Sequence, residues 1–196
     1  LPNGNKVTTT SSTYTITTNG TYTISATDKA GNVTTATITV TAIDKVLPVI
    51  TISNYNKAWT SGDITVFAST TKGLLNKESH TFTQNGSFVF NAVDEAGNSA
   101  SLTVNITNID KTKPTKPGLY IDGDSIKLIE GTDAESGIQK HEYTINGTDW
   151  NVYSMPINLK EYDDGNYTFK VRAFDNVNNI SEEGSVTIKI TYLAEA

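Results

Sequence analysis

Hydrophobic and polar side chains alternate along much of the chain, and the alternation predicts most of its strands. Apolar residues recur at every second position on both sides of three short polar segments, in the sets Tyr22, Ile24, Ala26 and Ile38, Val40, Ala42; Phe88, Phe90, Ala92 and Leu102, Val104, Ile106; and Tyr167, Phe169, Val171, Ala173 and Val186, Ile188, Ile190. A period of two on both sides of a short turn is typical of an antiparallel hairpin with one buried face. No stretch shows the period of a helix. We therefore predict an all-β protein in which these apolar sets are buried.

The three polar segments are variants of one phrase: ATDKAGN at 26–32, AVDEAGN at 92–98 and AFDNVNN at 173–179. An Asp side chain accepts hydrogen bonds from backbone N–H groups two residues further on. Glycine adopts the positive φ that other residues avoid, and asparagine is the next most tolerant residue. The phrase is therefore predicted to form the hairpin turn through Asp28, Gly31 and Asn32; Asp94, Gly97 and Asn98; and Asp175, Asn178 and Asn179.

The first two phrases belong to an internal repeat with a fixed offset of 66 positions, which separates Asn19 from Asn85, Asp28 from Asp94, Asp44 from Asp110, and Pro48 from Pro114. A constant offset indicates a duplicated structural unit. Residues 42–50 and 108–119, called the first and second linkers below, fall where one unit should end and the next begin, and their prolines suit short, stiff connections. We predict three modules, called first, second and third below, at residues 1–44, 45–111 and 112–196. The first lacks counterparts of the opening strands of the second. Truncation of the first module and completion by strands of a neighbouring chain both fit this pattern.

Composition narrows the range of partners. The net charge is −6, whereas nucleic-acid-binding proteins carry a basic face. The chain has no cysteine, which excludes disulfides and thiolate metal sites and fits a bacterial surface protein or a cytosolic one. No apolar stretch approaches the roughly 20 residues that cross a bilayer. We expect a monomer without nucleic-acid partners or membrane insertion.

The phrase and its flanking strands resemble a known group of domains. Residues 19–48 and 85–114 carry Gly-x-Tyr/Phe, then the phrase, an alternating strand and Asp-Lys-x-x-Pro; this pattern resembles the immunoglobulin-like repeats of bacterial surface and secreted proteins. Residues 136–150 and 164–179 resemble the fibronectin type III-like or immunoglobulin-like modules of bacterial glycosidases and adhesins. Tyr167 stands where that group has its tyrosine corner. The resemblance implies tandem immunoglobulin-like antiparallel β-sandwiches in an extended arrangement.

No pattern in the sequence points to catalysis. His80 and His141 fall in different predicted modules, and no nucleophile, zinc or phosphate-binding motif is present. The acidic pairs fall in predicted turns, where a solvated surface is the simplest interpretation; they are Asp122 and Asp124, Asp163 and Asp164, and Glu182 and Glu183. We expect no enzyme activity.

Asp44 and Asp110 are the candidate metal ligands. Each ends a predicted module at a linker, and calcium binds through carboxylate oxygens of this kind. The turn acids Asp28 and Asp94 come within reach if they lie at the same pole of a module. Turn capping explains these acids without an ion, so calcium is the single cofactor we consider.

Exposed aromatic residues are the candidates for ligand contact. Trp59 lies in a predicted loop, and Trp150 lies near Tyr153. Such side chains either stack on a sugar or close the end of a small core.

Three functions remain open from the sequence. The first is a non-catalytic spacer or stalk in a secreted or cell-wall protein of a Gram-positive bacterium, with the neighbouring domains of the same polypeptide as partners. The second is an adhesin or carbohydrate-binding module that contacts a glycan or host surface protein. The third is an accessory region of a secreted polysaccharide-degrading enzyme. Fold alone does not choose among them.

Overall fold

The strands pair antiparallel, as the alternating pattern predicts. The structure is a computed structural model and describes residues 13–192. Its strands are β1 (Gly20–Thr27), β2 (Val33–Val40), β3 (Ile50–Ile52), β4 (Ile64–Thr70), β5 (Leu74–Leu75), β6 (Ser79–Phe82), β7 (Gly86–Val93), β8 (Ser99–Ile106), β9 (Gly118–Asp122), β10 (Ser125–Ile129), β11 (Ile138–Thr144), β12 (Asn151–Val152), β13 (Ile157–Asn158), β14 (Gly165–Asp175) and β15 (Gly184–Ile190). Within the described residues the single helical element is a short 3-10 turn, Leu159–Glu161. The prediction of an all-β protein is confirmed.

The chain divides into two compact units. The first takes the chain up to Thr51 together with Ser69–Asn76 and Asn91–Leu102, and the second takes Ile52–Ala68, Lys77–Phe90 and the chain from Thr103 onwards. The strands form five sheets, with the orders β1-β2, β3-β4-β6, β5-β7-β8, β9-β10-β13 and β12-β11-β14-β15.

In the first unit, β1 and β2 form a two-stranded hairpin in continuous register from Gly20 opposite Val40 to Thr27 opposite Val33. We predicted that one face of this hairpin is buried, and this prediction is wrong: Ile24 is 50% exposed and Ile38 is 46% exposed. The physical reason is that this sheet contains only two strands within the described residues, so its apolar face lacks a second sheet to pack against.

The second unit contains a two-layered sandwich built from β9 to β15. Its core joins Leu119 and Ile126 of one sheet to Phe169 and Val171 of the other, and Phe169 and Val171 are fully buried. These strands therefore bury the alternate positions that the sequence pattern predicts on β14.

The second unit also buries the apolar positions of β4, β6 and the first part of β7. Val66 and Phe90 are fully buried, and the His80 ring stacks on Phe88 with ring centroids 3.9 Å apart. The stack joins β6 of one sheet to β7 of another, so the two sheets face each other across aromatic side chains.

Candidate functional site

The repeated phrase forms the same turn in all three copies. The Asp Oδ1 atom accepts the backbone N–H of the last Asn, at 2.9 Å in the Asp28 turn and 2.8 Å in the Asp94 and Asp175 turns. The same Asn donates its side-chain Nδ2–H to the other carboxylate oxygen at 2.8, 2.9 and 2.6 Å. Each carboxylate therefore satisfies backbone and side-chain donors of its own turn.

A left-handed residue closes each turn. Its φ is +89° at Gly31, +83° at Gly97 and +68° at Asn178. The N–H of this residue donates to the backbone carbonyl of the turn Asp at 3.1 to 3.2 Å. The third copy replaces glycine by asparagine, which tolerates this region better than other side chains.

In the second and third copies the last Asn also binds the preceding linker. Asn98 Nδ2 donates to the backbone carbonyl of Asp44 at 3.1 Å, within the first unit. Asn179 Nδ2 donates to the carbonyls of Asp110 at 3.2 Å and Thr112 at 3.1 Å, within the second unit. These contacts connect each turn to a residue far away in sequence.

A second asparagine holds the residue that precedes each linker Asp. Asn19 donates its Nδ2–H to the carbonyl of Ile43 at 2.9 Å and accepts the Ile43 N–H at 2.8 Å. Asn85 makes the same two bonds to Ile109, at 2.9 and 2.8 Å. Asn19 and Asn85 occupy equivalent positions of the 66-residue repeat, and the sequence showed this equivalence. Their hydrogen bonds to the linker could not be predicted from the repeat.

At the first linker, Asp44 and Asp94 share a lysine. Lys72 Nζ lies 2.7 Å from Asp44 Oδ2 and 2.7 Å from Asp94 Oδ2. The pKa of Asp94 is lowered from 3.8 to about 2, and the hydrogen bond from the Lys72 ammonium is the largest cause. The hydrogen bond from the Asn98 side chain is the second largest. The candidate calcium ligand Asp44 is therefore paired with an ammonium, and sequence reasoning missed Lys72 because it lies in a loop outside the repeated phrase.

At the second linker, Asp110 meets two other acids instead. One carboxylate oxygen from each of Asp110, Asp133 and Asp175 lies within 4.8 Å of the others. Asp110 and Asp175 have no exposed surface. The remaining candidate acid, Asp28, is exposed and accepts three hydrogen bonds from its own turn. Asp133 belongs to no repeated motif, and sequence reasoning missed it.

The candidate aromatic residues have three different surroundings. Trp59 is 41% exposed. The Arg172 guanidinium lies 3.9 Å from the centre of the half-buried Trp150 ring and covers one of its faces. Tyr153 packs beside the core of the β9–β15 sandwich, and its hydroxyl accepts the Leu128 N–H at 3.1 Å. Among these three, Trp59 presents the most exposed ring.

The histidines and acidic pairs do not come together. His80 stacks on Phe88, whereas His141 is buried and its Nε2 atom accepts the Gly131 N–H at 3.1 Å. Several acids of the predicted turns form ion pairs with lysines, namely Asp122 with Lys127, Asp124 with Lys160, and Glu183 with Lys170. Within the described residues no helix is long and apolar enough to span a membrane.

Comparison with known proteins gives likenesses of structure only. No family model and no curated protein matches the chain. Fibronectin(III)-like modules of CbhA from Clostridium thermocellum align over 72% of this chain and 94% of theirs, at 15% identity and a TM-score of 0.33. A tetra-tandem repeat from the extending region of a large adhesion protein aligns over 87% of this chain and 57% of its own, also at 15% identity and a TM-score of 0.33. Likeness at this level carries no functional argument, so the functional conclusions below rest on the contacts described above.

Proposed function

We propose that this chain is a non-catalytic spacer in a secreted or cell-surface protein of a Gram-positive bacterium. Its direct partners are then the neighbouring domains of the same polypeptide, which the spacer holds at a distance. The supporting observation is that consecutive residues of each linker are bound by side chains of two different predicted modules.

The first linker illustrates this double attachment. Asn19, in the first predicted module, binds both backbone groups of Ile43. Asn98, in the second predicted module, binds the carbonyl of the next residue, Asp44. Asp44 also accepts the Val46 N–H at 2.8 Å through its side chain. Few backbone torsions are free between two such attachment points, so we expect a stiff connection.

The second linker repeats the arrangement with equivalent residues. Asn85 binds both backbone groups of Ile109, and Asn179 binds the carbonyl of Asp110. Asp110 accepts the Thr112 N–H at 3.0 Å, as Asp44 accepts that of Val46. The turn phrase therefore has a second role in this proposal: its final Asn attaches a module to the linker that enters it.

The experiment measures the distance between spin labels on either side of the first linker. The chain has no cysteine, so Thr35→Cys and Ser101→Cys provide two exposed labelling positions within the first unit without interference. We expect a narrow distance distribution that broadens in Asn98→Ala. The matched control is Asn32→Ala, because in the described residues the Asn32 side chain bonds only to Asp28; it should leave the distribution unchanged.

Two outcomes would contradict the proposal. A broad distribution in the unsubstituted chain would show that the linker is flexible. Saturable binding to a glycan or to a matrix protein, lost in Trp59→Ala without loss of folding, would favour the binding module instead. The 41% exposure of Trp59 is the observation that keeps this second function open.

A further inference from the structure

Three carboxylates from separate parts of the chain meet in the second unit. Asp110 follows β8, Asp133 lies in the loop between β10 and β11, and Asp175 is the last residue of β14. One oxygen of each lies within 4.8 Å of the other two. Two ligands on opposite sides of a calcium ion are about 5 Å apart, since calcium–oxygen distances are about 2.3–2.6 Å. The three oxygens therefore fit around one such ion.

The equivalent position at the first linker contains a lysine ammonium. Asp44 corresponds to Asp110 and Asp94 to Asp175, and there the ammonium of Lys72 lies 2.7 Å from both acids. Lys72 lies in the loop between β4 and β5, and β5 pairs with β7. Its loop is topologically equivalent to the one that contains Asp133.

That equivalence follows from the sheets. The strand before the loop is the central strand of a three-stranded sheet in both cases, β4 in β3-β4-β6 and β10 in β9-β10-β13. The strand after the loop pairs with the strand that leads to the turn acid, β7 or β14. One loop therefore places a cation between two acids, whereas the other adds a third acid.

One buried oxygen at the second linker has no partner. Asp133 Oδ1 accepts the N–H groups of Glu135 at 3.1 Å and Gly137 at 2.8 Å, but the buried Asp133 Oδ2 atom accepts no hydrogen bond. Ser136, in the same loop, faces Asp110: its N–H donates to Asp110 Oδ2 at 3.0 Å, and its hydroxyl also lies against that carboxylate. A buried polar atom without a partner is costly. The unpartnered Asp133 oxygen is therefore a sign of a ligand, because carboxylate oxygens bind hard cations.

The charge at this site also lacks compensation from the protein. None of the ion pairs in the part of the chain that the structure describes involves Asp110, Asp133 or Asp175. The Glu135 carboxyl also lies against that of Asp110, which adds a further acid beside the three. Several carboxylates this close together need a proton or a cation between them.

We propose that Asp110, Asp133 and Asp175 bind a calcium ion, which takes the place that the Lys72 ammonium occupies at the first linker. Calcium fits better than magnesium because its coordination shell is flexible and accepts several carboxylates, whereas magnesium keeps most of its water. Glu135 and Thr112, which neighbour the proposed ligands in sequence, line an open cleft of about 300 Å³. The proposal stands on the acids themselves and does not require the spacer role.

The test is a calcium titration of the metal-free chain by isothermal titration calorimetry, with thermal unfolding measured in parallel. We expect one strong site per chain and a rise in Tm of about 5 °C or more at a free calcium concentration about 100 times Kd. Asp133→Asn keeps the size of the side chain and its Oδ1 acceptor, and should weaken binding about tenfold or more. Asp44→Asn, at the lysine-paired linker, should leave calcium affinity unchanged.

The variant also has an expected phenotype without metal. Because Asp133→Asn removes one of three crowded negative charges, the calcium-free variant should be at least as stable as the calcium-free parent.

In the unsubstituted chain, calcium should shift the NMR signal of the Gly137 N–H, which donates to Asp133. This measurement decides the matter even if the variant folds poorly.

Three outcomes would overturn the proposal: no binding heat and no Tm shift at about 10 mM calcium, far above the usual affinity range of such sites; calcium binding that survives in Asp133→Asn; or an equal response to magnesium. None of them alters the spin-label distances across the first linker, so failure of this site and failure of the spacer role are distinguishable.

Discussion

The hydroxyl of Tyr167, in β14, provides a defined test of how the β9–β15 sandwich is stabilised. Tyr167 donates to the carbonyl of Asp163, four residues upstream, at 3.2 Å. Its half-buried ring lies 5.5 Å from that of Tyr162, between centroids, and packs beside the core that contains Phe169. Tyr167→Phe removes the hydrogen bond and keeps the ring. The variant therefore separates the contribution of the tyrosine corner from that of packing.

The structure sets the expected magnitude. A neutral hydrogen bond contributes about 0.5–1.5 kcal/mol net. Asp163 is exposed, so water can replace the lost donor at its carbonyl, and the value should not exceed about 1 kcal/mol. That corresponds to a Tm about 4–8 °C lower for a domain of this size. Tyr167→Ala, which also removes the ring, should cost clearly more, about 2–4 kcal/mol.

Tryptophan fluorescence provides the assay. The chain has two tryptophans, so a Trp59→Phe background leaves Trp150, between β11 and β12, as a reporter of the sandwich that contains Tyr167. Urea unfolding in that background gives the free energy of unfolding of each variant. If Tyr167→Phe is as destabilising as Tyr167→Ala, the ring contributes nothing and the packing argument fails. If it is indistinguishable from the parent, the corner hydrogen bond is not a stabilising contact.

Two further predictions concern the Asp94 turn and the loop beside it. Gly73→Ala should destabilise the protein well beyond Gly97→Ala. Both glycines have a positive φ, which costs a side-chain-bearing residue about 1–2 kcal/mol, but only at Gly73 would the new Cβ lie 2.2 Å from the Val93 carbonyl oxygen. Equal losses of unfolding free energy in urea would contradict this prediction. Because Lys72 and then Asn98 hold the pKa of Asp94 near 2, below the value of 3.8 for an unfolded chain, the carboxylate stabilises the fold fully above about pH 4 and progressively less as pH falls towards 2. Tm measured across that range should decline less steeply in Asp94→Asn, and parallel curves would refute the assignment.

The turn phrase and the alternation allowed much of the local structure to be predicted, because both depend on residues close together in sequence. Alternation places Phe90 and Phe169 inward, and both are fully buried. The same reasoning failed for Ile24 and Ile38, which alternate correctly but are exposed. A period of two indicates that one face of a strand is apolar, but burial also requires a partner sheet, and that depends on other parts of the chain.

The contacts of the candidate site could not be predicted from sequence patterns, because they too depend on how distant strands pair. Lys72 and Asp133 stand in equivalent loops, yet no motif or fixed offset connects them. Their equivalence follows from the sheet orders and strand pairs. The fixed offset of 66 positions had already pointed to Asp44 and Asp110 as residues with a shared role. What each of them binds depends on the loop that packs against it.

Each linker brings two carboxylates close together, and the two linkers differ in what lies beside that pair. The first linker has the Lys72 ammonium there, whereas the second has the carboxylate of Asp133. Each acid of the pair accepts backbone hydrogen bonds. Asp44 and Asp110 accept the N–H two residues further on in the linker, and Asp94 and Asp175 accept the N–H that closes the hairpin turn. Two carboxylates this close together stay ionised when a cation lies between them. Lys72 supplies a permanent one, so the first linker should hold its local structure at any calcium concentration. The second linker, with Asp133 in the corresponding loop, should depend on the ion, and its rigidity would then respond to the calcium content of the surroundings.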